Sequence, residues 1–277
     1  MSILIGIDAG ISSTKIIGIE GDKRIMKPMT VSTADPLPGI YGALGKYLHE
    51  NNISVDDIDH VLLTGVGSKR LKEPILNLPT SLVDEFKANG IGARFDTGLD
   101  HMIVVSMGTG TSLVRVDGDD IKHIGGLSMG GGTLQGLAHL LLHTSNMNIV
   151  AEMAEEGVWN RANLTISDIC DDDIDYLTRD ATASLFAKAA HVKMTDRDIA
   201  TALTHMVLET IGSCAVLSQV DSGIKDFVLI GNLTQLTACK IVFPQFESLY
   251  KVNFHIPKYA NYCTALGAAL SSIYETE

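Results

Sequence analysis

The apolar positions of the first 90 residues fall into short runs broken by glycine and proline. Residues 4–8, 15–20 and 23–29 read as three strands, with Gly21-Asp22 as a tight turn between the second and third. Pro36 and Pro38 then break the chain ahead of a helix over 40–51. Ser54-x-x-Asp57 gives a capping signal before a strand at 60–64, which Gly65 and Gly67 close. Residues 77–83 read as extended and lead into Asp84-Glu85-Phe86. The resulting order β-β-β-α-β-α-β is that of half a mixed sheet flanked by helices.

From Met102 the pattern starts again: strand, glycine-rich turn, strand, an Asp117-Gly118 turn, and a strand at 121–124. Spacing alone makes this a structural repeat of the first unit. A helix follows over 133–143, and residues 146–221 are helix-rich. In the last of those helices Ile199, Leu203, Met206, Val207, Ile211, Cys214 and Leu217 recur at steps of three and four, with Thr195 and Asp198 as its cap. A strand at 227–230, a Gly231-Asn232 turn, a strand at 252–256 and a helix from Thr264 complete the chain. The expected organisation is an α/β protein with an N-terminal subdomain over 1–98 and a C-terminal subdomain over 99–277, the latter carrying a helical insert at about 145–221.

Two of the predicted turns carry chemistry. Gly10, Ser12, Ser13 and Lys15 follow Asp8, and Gly108-Thr109-Gly110-Thr111 follows the strand that ends near Ser106. Each joins two apolar runs, so each reads as a hairpin whose glycines let the backbone approach a ligand while amides and hydroxyls remain to bind it. Two facing hairpins of this kind would grip a phosphate chain, which predicts an ATP-dependent enzyme. Asp8 at a strand end is either part of a plain turn or the carboxylate for a hydrated Mg²⁺, an ion that takes few protein oxygens and several waters. Lys15 either neutralises phosphate charge or is a solvated strand-end lysine. Gly108, Thr109, Gly110 and Thr111 offer a concave set of amides and hydroxyls for an anion. Gly130-Gly131-Gly132 opens a helix, as a bared positive N-terminus for phosphate or as a hinge.

The formal net charge of −12, without a basic stripe, excludes nucleic acid as the main partner. Hydrophobic residues make up 45% and charged residues 19%, as in ordinary soluble proteins. No apolar run approaches a bilayer span of ~20 residues, and no secretory leader is read at the N-terminus, so no membrane partner and a cytoplasmic location are expected. Cys170, Cys214, Cys239 and Cys263 are scattered and form no C-x-x-C pair, which suits buried thiols in a reducing compartment.

The order of these motifs resembles that of type II, eukaryotic-like pantothenate kinases. The matching residues are Asp8-Ala9-Gly10, Glu85-Phe86, Gly108-Thr109-Gly110-Thr111, Gly125-Gly126, Gly130-Gly131-Gly132, Leu229-Ile230-Gly231-Asn232 and Ala265-Leu266-Gly267-Ala268. The likeness runs over nearly the whole chain and is vague through 145–220. It implies a two-domain ribonuclease H-like fold of the actin, hexokinase and Hsp70 type, with nucleotide in the cleft, Glu85 as general base, and Gly231 and Asn232 at the nucleoside. It also implies a homodimer, and transfer from ATP with Mg²⁺ to the primary hydroxyl of pantothenate, at the first step of coenzyme A biosynthesis. Ser106, His123 and Gly125 are the candidate contacts to that substrate. One departure stands out: the family has an arginine for the pantothenate carboxylate where this chain has His123, and histidine lacks the always-charged fork of a guanidinium.

Two alternatives follow. A different pantothenate-like alcohol is the acceptor, or the chain is a nucleotide- or coenzyme A-binding paralogue without kinase activity. A more distant reading is the ATPase that activates 2-hydroxyacyl-CoA dehydratases, which needs cysteines for an iron–sulfur cluster at a glycine-rich helix start. None of the four cysteines stands at one.

Overall fold

The computed structural model describes residues 3–21, 24–33, 35–172 and 177–274. Its first sheet contains β1 (Ile3–Ala9), β2 (Ser13–Glu20), β3 (Arg24–Ile25), β4 (Met29–Ser32), β5 (Ile58–Thr64) and β6 (Thr80–Leu82). The spatial order is β3-β2-β1-β5-β6, with β4 also on β2. β1 runs antiparallel to β2 and parallel to β5. The strand expected over 23–29 is divided into β3 and β4; Asp22 and Lys23, which belong to the expected turn and strand, lie outside the described residues. Helix α1 (Pro36–Asn51) starts earlier than expected. Pro36 and Pro38 sit in its first turn, where a missing N–H costs no helical bond, and the Asp35 carboxylate accepts from the amide of Leu37.

The second sheet contains β7 (His101–Met107), β8 (Thr111–Asp117) and β9 (Asp120–Leu127), each hairpin-connected, then β12 (Asp226–Ile230) and β13 (Asn253–His255). Its order, β13-β12-β7-β8-β9, matches that of the first sheet strand for strand. Between them in sequence lie α3 (Gly131–Leu142), α4 (Met147–Glu156), a two-stranded ribbon of β10 (Leu164–Thr165) and β11 (Thr182–Ser184), and α5 (Asp196–Leu217). The stretch from 157 to 195 is therefore less helical than its composition suggests. The capping box of Thr195 and Asp198 does start α5. α6 (Cys239–Tyr250) fills a span that the sequence reading left unassigned.

Alternation along the strands shows how the layers assemble. Ile103, Val105 and Met107 face a core under α3, α5 and α6, whereas Met102 and Val104 face the opposite side. That opposite side is covered by α2 (Glu85–Thr97), which precedes the second sheet in sequence. In the first sheet Ile5, Ile7 and Ile16 pack under α1, while Ile17 and Ile19 pack against Ala265, Leu266, Ala269 and Leu270 of α7 (Cys263–Tyr274). The two sheets thus exchange cover helices, and α2 and α7 press against each other between them. At their crossing a Cβ on Gly267 would lie 1.8 Å from the carbonyl oxygen of Ala88, so no larger residue fits.

α5 is long and apolar enough, by length and composition, to cross a membrane, contrary to the sequence expectation. Most of it is buried inside the protein, and its apolar residues belong to the second core.

Buried polar groups fasten the first core as well. The hydroxyl of Tyr47, a fully buried side chain of α1, accepts the amide of Gly18 at 2.8 Å, and burial pushes its pKa up to about 12. Tyr47→Phe is expected to leave that amide unpaired and to lower unfolding free energy by about 1–3 kcal/mol. Urea denaturation should show an earlier midpoint at unchanged slope.

Candidate active site

Between the two sheets lies a cleft of about 330 Å³ lined by both glycine hairpins. In the first, Asp8, one residue before the end of β1, pairs across the ladder with Lys15, and the amide of Gly10 closes the turn onto the carbonyl of Ser13 at 3.1 Å. In the second, Met107 pairs with Thr111 and leaves Gly108, Thr109 and Gly110 as the turn. Asp8, Gly10, Ser12, Ser13 and Lys15 line one wall; Ser106, Gly108, Thr109, Gly110 and Thr111 line the other. Gly231 and Asn232 close one end, and Glu85 stands at the cleft as the first residue of α2. The helix begins there because the Asp84 carboxylate accepts the amide of Lys87 at 2.9 Å.

The glycine triplet has a different position. Gly130, Gly131 and Gly132 are not among the residues lining the cleft. The amide of Gly131 donates to the carbonyl of Gly108 at 2.8 Å and that of Gly132 to Thr109 at 2.9 Å. Thr111 adds a bond from its hydroxyl to the carbonyl of Met129 at 2.8 Å. A Cβ on Gly130 would lie 2.8 Å from backbone atoms of Thr109 and Gly110. The triplet holds the second hairpin in shape from behind, with two of its amides already taken.

His123 and Gly125 lie on β9, likewise outside the cleft lining. The imidazole of His123 stacks on Phe86, ring centres 4.1 Å apart, so it stands over the residue next to Glu85. Sequence reasoning missed Ile11, Gly65, Val66, Ser112, Leu127 and Thr264, which also line the cleft. Gly65 was visible only as a strand terminator. Thr264 had no local signal, because α7 alone brings it there.

Burial sets the electrostatics. It raises the pKa of Asp8, an effect that Lys15 opposes, and it lowers that of Lys15, against the pull of Asp8, Cys263 and Glu85. Glu85 is pushed up to about 6, chiefly by burial and then by the charges of Asp8 and Asp84, with Lys15 and Lys69 opposing. A half-buried carboxylate that is mostly ionised at neutral pH yet basic enough to take a proton suits general-base work. The hairpin amides and hydroxyls suit a polyphosphate.

Two glycine hairpins and two carboxylates, Asp8 and Glu85, thus line one cleft. A Fumble family model matches residues 96–271, more than half of the sequence. The chain belongs to the Fumble family. A type II pantothenate kinase of Staphylococcus aureus (strain bovine RF122 / ET3-1) is 28% identical over 236 residues, covering 82% of this chain and 84% of the relative. Among solved structures, component A of (R)-2-hydroxyglutaryl-CoA dehydratase from Acidaminococcus fermentans superposes with a TM-score of 0.71 at 20% identity, covering 98% of this chain and 97% of that one. A ROK family glucokinase of Streptomyces griseus, in complex with glucose and AMPPNP, gives 0.59 at 12% identity, covering 96% and 98%. These likenesses show that the chain shares the α/β fold of those two proteins.

Proposed function

We propose that this Fumble-family protein is a kinase that transfers the γ-phosphoryl group of ATP to the primary hydroxyl of pantothenate. The observation that carries the reading is Glu85 standing in the same cleft as both hairpins. The hairpins hold the triphosphate, Lys15 offsets its charge, and Gly231 and Asn232 lie toward the nucleoside. Glu85 accepts the hydroxyl proton as the oxygen attacks phosphorus. Phosphoryl transfer asks for little more than such positioning and charge neutralisation.

A magnesium ion fits this donor set. No group of three or more His, Cys, Asp or Glu residues that could hold a metal exists among the described residues, so a protein-only cage is not formed. A single carboxylate, Asp8, with hydroxyls and nucleotide oxygens nearby, is what a largely hydrated Mg²⁺ uses. Bound there, it supplies charge neutralisation to the phosphates; Asp8 would hold it through water.

The iron–sulfur reading loses support. Cys239 and Cys263 are buried in the chain's own cores, where neither is placed to share a cluster with a partner subunit. Free, unpaired thiols support the cytoplasm as location. A homodimer is also proposed. α5 is mostly buried inside its own subunit, and Leu140, Leu141, Leu217 and Val220 are among the exposed apolar side chains open to a two-fold contact. Size-exclusion chromatography with light scattering checks this; a monomer at micromolar concentration would refute it.

ADP release with Mg-ATP and a panel of pantothenate, pantetheine and short hydroxy acids tests the main reading. Turnover on none of them would remove it. His123 adds a sharper probe, since it stacks beside the base without a guanidinium fork. If pantothenate's carboxylate docks there, His123→Arg should lower the acceptor KM by roughly tenfold, the gain of one charge-assisted pair. The KM for ATP should stay put.

A further inference from the structure

Asn89 is fully buried on α2, one helical turn after Glu85. Its Oδ1 accepts the hydroxyl of Thr264 at 2.7 Å. With Oδ1 taken as that acceptor, Nδ2 has no hydrogen-bond partner. Almost all buried polar groups in folded proteins are paired, so such a donor calls for a reason. Thr264 and Glu85 both line the cleft, and Asn89 is bonded to the first and one helical turn from the second. Residues four apart share a helix face, and a helical side chain leans toward the turn N-terminal to its own Cα. The Asn89 side chain thus belongs to the face that carries Glu85, and with the Thr264 hydroxyl donating to Oδ1 the free end is Nδ2.

We propose that Asn89 is a positioning residue whose Nδ2 donates to the Glu85 carboxylate and holds it toward the acceptor hydroxyl during transfer. Asn89 is too deeply buried to reach the substrate, so it acts only through Glu85. The proposal rests on the reading of Glu85 as the base.

A double-mutant cycle with Mg-ATP and pantothenate tests it. Asn89→Leu keeps the volume and removes the donor. It should lower kcat by roughly tenfold, the loss that goes with one buried hydrogen bond to a charged group, and leave the KM for ATP within about twofold. In a Glu85→Gln background the same change should alter the residual rate by less than about twofold, because two residues acting as a unit are not additive. An equal tenfold loss in both backgrounds would make Asn89 a mere tie between α2 and α7 and overturn the proposal. A fully active Asn89→Leu beside an inactive Glu85→Gln would overturn it while leaving the kinase reading intact. A fully active Glu85→Gln would remove the base assignment and the proposal together. Should Asn89→Leu fail to fold, Asn89→Ala takes its place in the cycle under the same criteria.

Discussion

Glu85→Gln is expected to lower kcat for phosphoryl transfer by roughly 10²–10⁴-fold, the usual contribution of a general base, while the KM for ATP barely moves. The amide keeps the size of the carboxylate and one acceptor oxygen, and loses its charge and its basicity. Stability should move in the other direction. Burial raises the Glu85 pKa from its ordinary value of 4.5 to about 6 in the folded protein. Between those values the folded state binds more protons than the unfolded one, so stability falls as pH rises through this window. The ionised group thus costs stability above pH 6, and Glu85→Gln should melt at or above the wild-type temperature at pH 8. That advantage should shrink as pH drops through 6 toward 4.5. For the wild-type enzyme the same pKa predicts a kcat/KM that climbs from pH 5 and levels off above 7. A variant that is both inactive and much less stable at pH 8 would show that the carboxylate has a structural rather than a chemical role.

The second large effect concerns the contact between α2 and α7. Gly267→Val puts side-chain atoms where the Ala88 carbonyl now stands, and a Cβ at Gly92 would meet the Cys263 carbonyl at 2.1 Å. Backbone cannot yield there as a flexible side chain would. The expected loss is about 3 kcal/mol or more, at the upper end of overpacking costs. Because Glu85 begins the displaced helix, activity should fall further than stability, even well below the melting temperature. Urea unfolding beside the ADP-release assay reads both. Wild-type values in each would mean the two helices do not meet at these glycines.

Much of this was legible in sequence, and the exceptions have physical reasons. The two hairpins were readable because a strand, a glycine turn and a strand form a local signal that needs no tertiary context. Asp8, Lys15 and the Gly108–Thr111 turn reached the cleft as their spacing required. The glycine triplet reads in sequence as a helix start open to phosphate or as a hinge, and what sequence does not show is that the amides of Gly131 and Gly132 bond to the neighbouring turn, a contact between segments about twenty residues apart. Pro36 and Pro38 looked like breakers and instead start α1, since proline suits a first turn. α6 escaped notice because Pro244 interrupts its pattern. Thr264 and Asn89 were invisible for the same reason: only the crossing of α2 and α7 brings them together.

That crossing has a consequence for biosynthesis. The sheet from β1 to β6 is made before the helix at residues 263–274 that supplies most of the cover on one of its apolar faces. Its Ile17 and Ile19 share their cluster with that helix and with Ile91 and Phe95 of α2. Domain-by-domain maturation is closed to such a topology. Chaperone dependence of the nascent polypeptide, and insolubility of fragments that stop before Cys263, follow from where one helix was placed.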